Sequence, residues 1–170
     1  MKKPLFIAHR GYSKFEKENT LVAFSAAGAI KEFYGIETDV HITSDNHYIT
    51  IHDHNTKRVT NDTFDINVEK NTYSLIKEII LTDVDNSTNR NDLRIPEMIE
   101  YFKICKKYNK IAICELKQVF SVEQIKEIFS IIDSIDMLKN TVFISFHLQA
   151  LINLRKVSST HPAQFLTDKI

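Results

Sequence analysis

Ile36-Glu37-Thr38-Asp39-Val40-His41-Ile42-Thr43 reads as a β-strand, and two of its side chains are acids two positions apart. Alternate residues of a strand face the same way, roughly 6.6 Å apart along the chain, so Glu37 and Asp39 project from one face. Burying an uncompensated carboxylate costs several kcal/mol, so that face needs a partner. A second strand over residues 48–52 follows after only Ser44-Asp45-Asn46-His47. A parallel neighbour needs a crossover of about a dozen residues, so the pair is expected to form an antiparallel hairpin. With Asp45 and Asn46 as a two-residue turn, Ser44 faces His47 and Asp39 faces His52. The hairpin would then bring acid and imidazole together.

The same alternation extends in both directions. Residues 5–8 form an apolar strand running into His9-Arg10-Gly11, and residues 20–33 form a helix with Leu21, Phe24 and Gly28 on one face. Asn19-Thr20 is placed to cap that helix and fix the loop carrying His9. Downstream, Pro96 starts a helix bearing Met98, Phe102 and Cys105, and residues 111–117 form a strand ending in Glu115 and Lys117. Ser121 to Gln124 reads as a capping box before the stripe Ile125, Ile128, Phe129 and Ile132. A strand over 142–146, a helix over 148–156 and a last strand over 163–167 follow.

Strands alternating with amphipathic helices predict a parallel α/β fold, TIM-barrel-like in preference to an open sheet. Each polar cluster closes an apolar run, at the strand ends where such folds keep their chemistry. No Gly-rich Rossmann or Walker loop is present. At 170 residues with 43% hydrophobic content, residues 1–170 are expected to form a single domain. From 56 to 91 the composition shifts to Asn, Thr and Asp, with one helix expected over 74–80. Residues 56–95, after the hairpin over residues 36–53, therefore read as an excursion passing over the surface outside the barrel wall. A closed barrel usually takes about 250 residues, so this one is expected to be incomplete at its C-terminus. Uncovered barrel edges would favour self-association.

Lysine plus arginine and aspartate plus glutamate balance at 22 each, which leaves no global field for nucleic acid or an anionic bilayer. The apolar run over residues 5–8 is too short for a signal-peptide core, and no stretch is long enough for stable membrane insertion. Cys105 and Cys114 lack zinc or redox spacing and sit among apolar neighbours. Reduced, buried thiols and a cytoplasmic location are expected.

Three carboxylates, Glu37, Asp39 and Glu115, with no cysteine beside them suit a hard divalent cation, Mg²⁺ or Ca²⁺, better than zinc. An ion-pair network with Arg10 and Lys117 accounts for the strand pattern equally well. His9 and His52 suit general acid–base chemistry, since imidazole titrates near neutral pH. Arg10 offers a planar fork for two phosphate oxygens, with a salt bridge to Glu18 or Asp53 as the ordinary alternative. His41 is expected beyond the metal at the hairpin tip, and His47, His54, His147 and His161 read as surface or loop residues.

Taken in order, His9-Arg10-Gly11, Glu18-Asn19-Thr20, Glu37-Thr38-Asp39-Val40, Thr43-Ser44-Asp45, His52-Asp53, Arg58-Val59-Thr60, Ile95-Pro96, Glu115-Leu116-Lys117 and Ile144-Ser145-Phe146 resemble the glycerophosphodiester phosphodiesterase family. Lys17 stands where the family usually has proline and Asn46 where it usually has glycine. The resemblance implies a metal-dependent TIM-barrel hydrolase that releases glycerol 3-phosphate and an alcohol from a small-molecule glycerophosphodiester. It further implies that His9 and His52 are the acid–base pair, that Glu37, Asp39 and Glu115 hold the metal, and that Arg10 and Lys117 contact the phosphate. The strands that complete the family's barrel do not follow residues 163–167. Two other readings stay open from sequence: a sphingomyelinase D-like phosphodiesterase, and a truncated barrel remnant acting as an interaction module.

Overall fold

In a computed structural model, which describes residues 4–168, the chain enters through a short strand, β1 (Phe6–Ala8). The helix α1 (Leu21–Ala29) then returns it to β2 (Phe33–Ile42), the longest strand. A hairpin leads to β3 (Tyr48–Thr50), and the following segment contains only the short helix α2 (Tyr73–Ile76) and 3-10 turns. Regular alternation resumes with α3 (Met98–Lys107), β4 (Ile111–Leu116), α4 (Val122–Asp133), β5 (Thr141–Ser145), α5 (Leu148–Val157) and β6 (Ala163–Phe165).

The strands form one sheet in the order β1-β2-β4-β5-β6, all parallel, with β3 antiparallel to the far half of β2. Asp39 sits beside Glu115 in the β2–β4 register. Alternate residues Ile36, Val40, Ala112, Cys114, Leu116 and Phe143 turn to the helical side, where they join Phe24, Phe102, Ile128 and their neighbours in the main core. The opposite face of β2 carries Glu37 and Asp39, as the period of two requires. Inside the core, Tyr101 donates its hydroxyl proton to the Ile36 carbonyl at 2.7 Å, tying α3 to β2.

The parallel α/β architecture matches the expectation, and among the described residues the sheet is open. β1 pairs only with β2 and β6 only with β5, while Leu5, Phe6 and Phe165 are exposed at these two edges. No helix is long and apolar enough to cross a membrane among the described residues.

Four local expectations change. The turn at the hairpin tip holds three residues, with Asn46 left-handed at φ 64 and Thr43 N donating to the His47 carbonyl. A two-residue turn needs left-handed backbone at its first central position, and a β-carbon makes that costly at Asp45; Asn46 alone adopts it cheaply. The register therefore slips by one, so that Val40 faces Thr50 and Asp39 accepts from Ile51, not opposite His52. Second, Leu21 is exposed and Ala23 and Ala27 share the buried face of α1 with Phe24 and Gly28. Third, residues 56–95 do more than cross the surface: Val59, Val68, Ile76, Leu81 and Leu93 form a second small core with Ile49 and Ile51, and the expected helix shortens to α2. Fourth, His161 is no simple loop residue, because its ring packs against Phe129 and Phe143 at centroid distances of 4.9 and 5.3 Å.

Candidate active site

Glu37, Asp39 and Glu115 converge at the C-terminal rim of β2 and β4. One carboxylate oxygen from each lies within 4.8 Å of the others, and all three residues are buried. Strand alternation places the first two and the parallel register adds the third. Lys117, just past β4, donates to Glu115 Oε1 at 2.9 Å and lies 3.5 Å from Asp39 Oδ1.

The turn after β1 is shaped to approach this cluster. Arg10 has φ 56 and Gly11 φ 79, and a β-carbon on Gly11 would fall 2.6 Å from the backbone of Ala23, so only glycine fits. The Arg10 amide then donates to Glu37 Oε2 at 2.8 Å, and its guanidinium lies 3.2 Å from Asp39 Oδ2 and 3.1 Å from Glu18 Oε1. His9 is largely exposed, with Nε2 3.9 Å from Glu37 Oε2. Burial lowers its pKa, and the Arg10 charge lowers it further.

His52 lies two residues past β3 and shares a cavity with Lys117. Its Nδ1 donates to Asp53 Oδ1 at 2.6 Å, which leaves Nε2 as the unprotonated nitrogen of the neutral ring. Burial raises the Asp53 pKa, but hydrogen bonds from Arg58 and His52 outweigh it and hold the carboxyl at about 2. His52, Asp53, His41, Glu69 and Lys117 line one open cavity of about 390 Å³ beside the carboxylates.

All seven residues singled out from sequence therefore meet at one rim. Of the two acids weighed as partners for Arg10, Glu18 pairs with it, while Asp53 is taken by Arg58. The helix cap falls to Thr20 alone, whose Oγ1 accepts from Ala23 N, which leaves a different task to Asn19. Its side chain donates to Asp39 Oδ2 at 2.8 Å and accepts from Thr38 Oγ1 at 2.8 Å, fixing the acid's orientation. His41 is buried between Glu69 Oε1 at 3.0 Å and the His52 carbonyl at 3.1 Å, so it supports the His52 segment. His147, expected as a plain surface residue, donates from Nε2 to the Lys117 carbonyl at 3.0 Å. Asn19 has a visible signal in its position between Glu18 and a helix cap; His41 and His147 have none beyond residue type.

The donor set fits a divalent cation better than a closed ion-pair network. Glu37 Oε1 and Asp39 Oδ1 are buried and accept no hydrogen bond, although Lys117 stands at ion-pair distance from the latter. Five acids, Glu18, Glu37, Asp39, Asp53 and Glu115, face only three permanent cations, Arg10, Arg58 and Lys117. Burial, then repulsion from Asp39, push the Glu37 carboxyl up to about 8. An oxygen-only set of this kind matches Mg²⁺ or Ca²⁺.

A parallel α/β sheet with an acid cluster, two cations and two imidazoles at its C-terminal rim has the layout of a barrel-type protein. Residues 9–170 match the glycerophosphoryl diester phosphodiesterase family, and the chain belongs to that family. A glycerophosphodiester phosphodiesterase from Parabacteroides distasonis superposes with a TM-score of 0.74 at 25% identity, covering 96% of this chain and 65% of that one. A phosphodiesterase from Oleispira antarctica, solved with the product sn-glycerol-3-phosphate, gives a TM-score of 0.81 at 24% identity, covering 95% and 65%. A glycerophosphodiester phosphodiesterase from Caldanaerobacter subterraneus is 49% identical over 59 residues, which are 35% of this chain and 24% of that protein. The chain thus spans just under two thirds of the solved structures it resembles.

Proposed function

We propose that the chain hydrolyses glycerophosphodiesters to glycerol 3-phosphate and an alcohol. The observation that carries this is the buried trio Glu37, Asp39 and Glu115, with two carboxylate oxygens lacking hydrogen bonds, His9 Nε2 3.9 Å from Glu37, and His52 lining a cavity with Lys117. These three acids would hold Mg²⁺ or Ca²⁺, which when bound supplies positive charge at the phosphate oxygens. Arg10 and Lys117 add two fixed cations at the same rim, and their donors favour the charge that gathers on the diester during displacement. Of the two imidazoles, one takes the proton of the attacking oxygen, from water or the substrate's own glycerol hydroxyl, and the other returns a proton to the departing alkoxide. Both rings reach solvent, as proton exchange requires. His52 is held by Asp53 with Nε2 available.

The single-domain organisation over 1–170 belongs to the same proposal, with residues 56–95 as an insertion that packs its own small core against β3. A cytoplasmic site of action is supported by Cys105 and Cys114, both free and buried. Copies of the chain are proposed to self-associate through the unpaired edges of β1 and β6, since zero net charge offers no repulsion against it.

The test is incubation of the purified protein with glycerophosphocholine, with and without chelator, followed by assay of glycerol 3-phosphate. Metal-dependent product is expected, and Glu37→Ala should abolish it in a folded chain. A folded protein that yields no product in the presence of divalent cation would favour the inactive remnant.

A further inference from the structure

The fork of Arg58 adds a charged link between two segments that also meet through the Thr50 hydroxyl, which donates to the Asn19 carbonyl at 3.0 Å. Arg58 opens the 3-10 turn Arg58–Thr60 in the segment after β3. Its Nε donates to Asp53 Oδ2 at 2.8 Å, while its two terminal nitrogens donate to Glu18 Oε2 at 2.8 Å and Oε1 at 2.9 Å. Glu18 in turn accepts from Arg10, and Asp53 from the His52 ring. The result is one continuous chain of charged hydrogen bonds, His52–Asp53–Arg58–Glu18–Arg10, with Arg10 at its end beside Asp39.

We infer that Arg58 is a positioning residue that clamps the segment carrying His9 and Arg10 to the segment carrying His52, and holds Asp53 where it fixes the His52 tautomer. Planarity is the reason for arginine: one guanidinium grips two carboxylates in a defined plane, which a lysine ammonium, a point charge on a flexible stem, does not do. The turn beneath is built to hold it. Val59 is buried in the second core, Thr60 Oγ1 donates to the Thr56 carbonyl at 2.9 Å, and Thr82 N donates to the Val59 carbonyl at 2.9 Å. A second arm from the same segment, Arg90, reaches Glu16 Oε2 at 2.8 Å and so holds the residues just before Glu18. The insertion thereby gains a purpose, since it carries the clamp whose two jaws are the halves of the candidate site.

Exposed ion pairs contribute little to stability, and the Arg58 side chain is nearly half exposed. Its effect is therefore expected in the geometry of the site more than in the melting temperature. Without it, Asp53 can rotate away from His52 Nδ1, and the ring samples both tautomers.

The catalytic half of this inference rests on the phosphodiesterase activity proposed above, so two readouts are needed. In the full chain, Arg58→Ala should lower kcat on glycerophosphocholine by on the order of 10²-fold with a small change in KM, because misplacement of reacting groups costs that much. Arg58→Lys should recover only a minor part, and free guanidinium at millimolar concentration should rescue Arg58→Ala. Independently of turnover, ¹⁵N NMR of the His52 ring should show the Nδ1–H tautomer in the wild type and a mixture in Arg58→Ala and Arg58→Lys. An inactive wild type whose His52 tautomer still depends on Arg58 would sink the activity and keep the clamp. An unchanged tautomer, or an Arg58→Ala kcat within twofold of wild type, would overturn the clamp. Should Arg58→Ala fail to fold, Arg58→Lys supplies the same two measurements.

Discussion

Replacing Glu37 by glutamine probes the acid cluster without any need for turnover. Glutamine keeps the shape and keeps an acceptor for the Arg10 amide, while removing the one carboxyl that burial and Asp39 push from 4.5 up to about 8. Because the folded value lies above the unfolded one, the folded chain binds the extra proton throughout the window between them. Stability from this group is complete below the unfolded value and is lost as pH rises toward the folded one. Each pH unit in that window is worth about 1.4 kcal/mol, so in chelator the wild type should lose ~2–3 kcal/mol more than Glu37→Gln between pH 5 and pH 7. Urea denaturation followed by circular dichroism at the two pH values reads this difference directly. Saturating divalent cation should then reverse the order, since a ligand at 100 times its Kd stabilises by about 2.7 kcal/mol and the substituted amide offers no anionic oxygen to it. Parallel behaviour of the two proteins from pH 5 to pH 7 would refute a like-charged, buried cluster at this position.

Tyr101→Phe removes a fully buried hydroxyl from the Ile36 carbonyl and should cost about 1–3 kcal/mol in the same urea assay with no effect on metal affinity. Ser121→Ala opens the capping box of α4 and should cost about 1 kcal/mol, read as a lower urea midpoint at unchanged slope. Sedimentation velocity should show wild-type association that rises with concentration, and Phe6→Asp with Phe165→Asp should leave a monomer; a wild type that stays monomeric throughout contradicts the edge reading.

Much that depends on periodicity is legible in the sequence, although Leu21 of α1, read onto the buried face, is exposed. The Ile125, Ile128, Phe129 and Ile132 stripe is buried as expected, because a helical period leaves one face no alternative. Glu37, Asp39 and Glu115 are legible for the analogous reason in strands, and their convergence follows from the β2–β4 register. The hairpin register escapes such reading because it hinges on one backbone torsion, at Asn46, that residue type only biases. The role of Arg58 is hidden because its partners, Glu18 and Asp53, stand 40 and 5 residues away and meet only after the loop after β3 has packed its own core. Asn19 reads as local capping chemistry, whereas its side chain reaches 20 residues ahead to Asp39. Periodicity reports which way a side chain points, and contacts between loops carry no period.

The most direct measurement is anomalous diffraction from crystals soaked in Mn²⁺ as a stand-in for the native ion. A single strong peak within coordination distance of Glu37, Asp39 and Glu115, absent from Glu37→Ala crystals, is the expected result. A map with no peak among these three carboxylates, or with manganese bound only elsewhere on the molecule, would contradict the site on which the proposed hydrolysis depends.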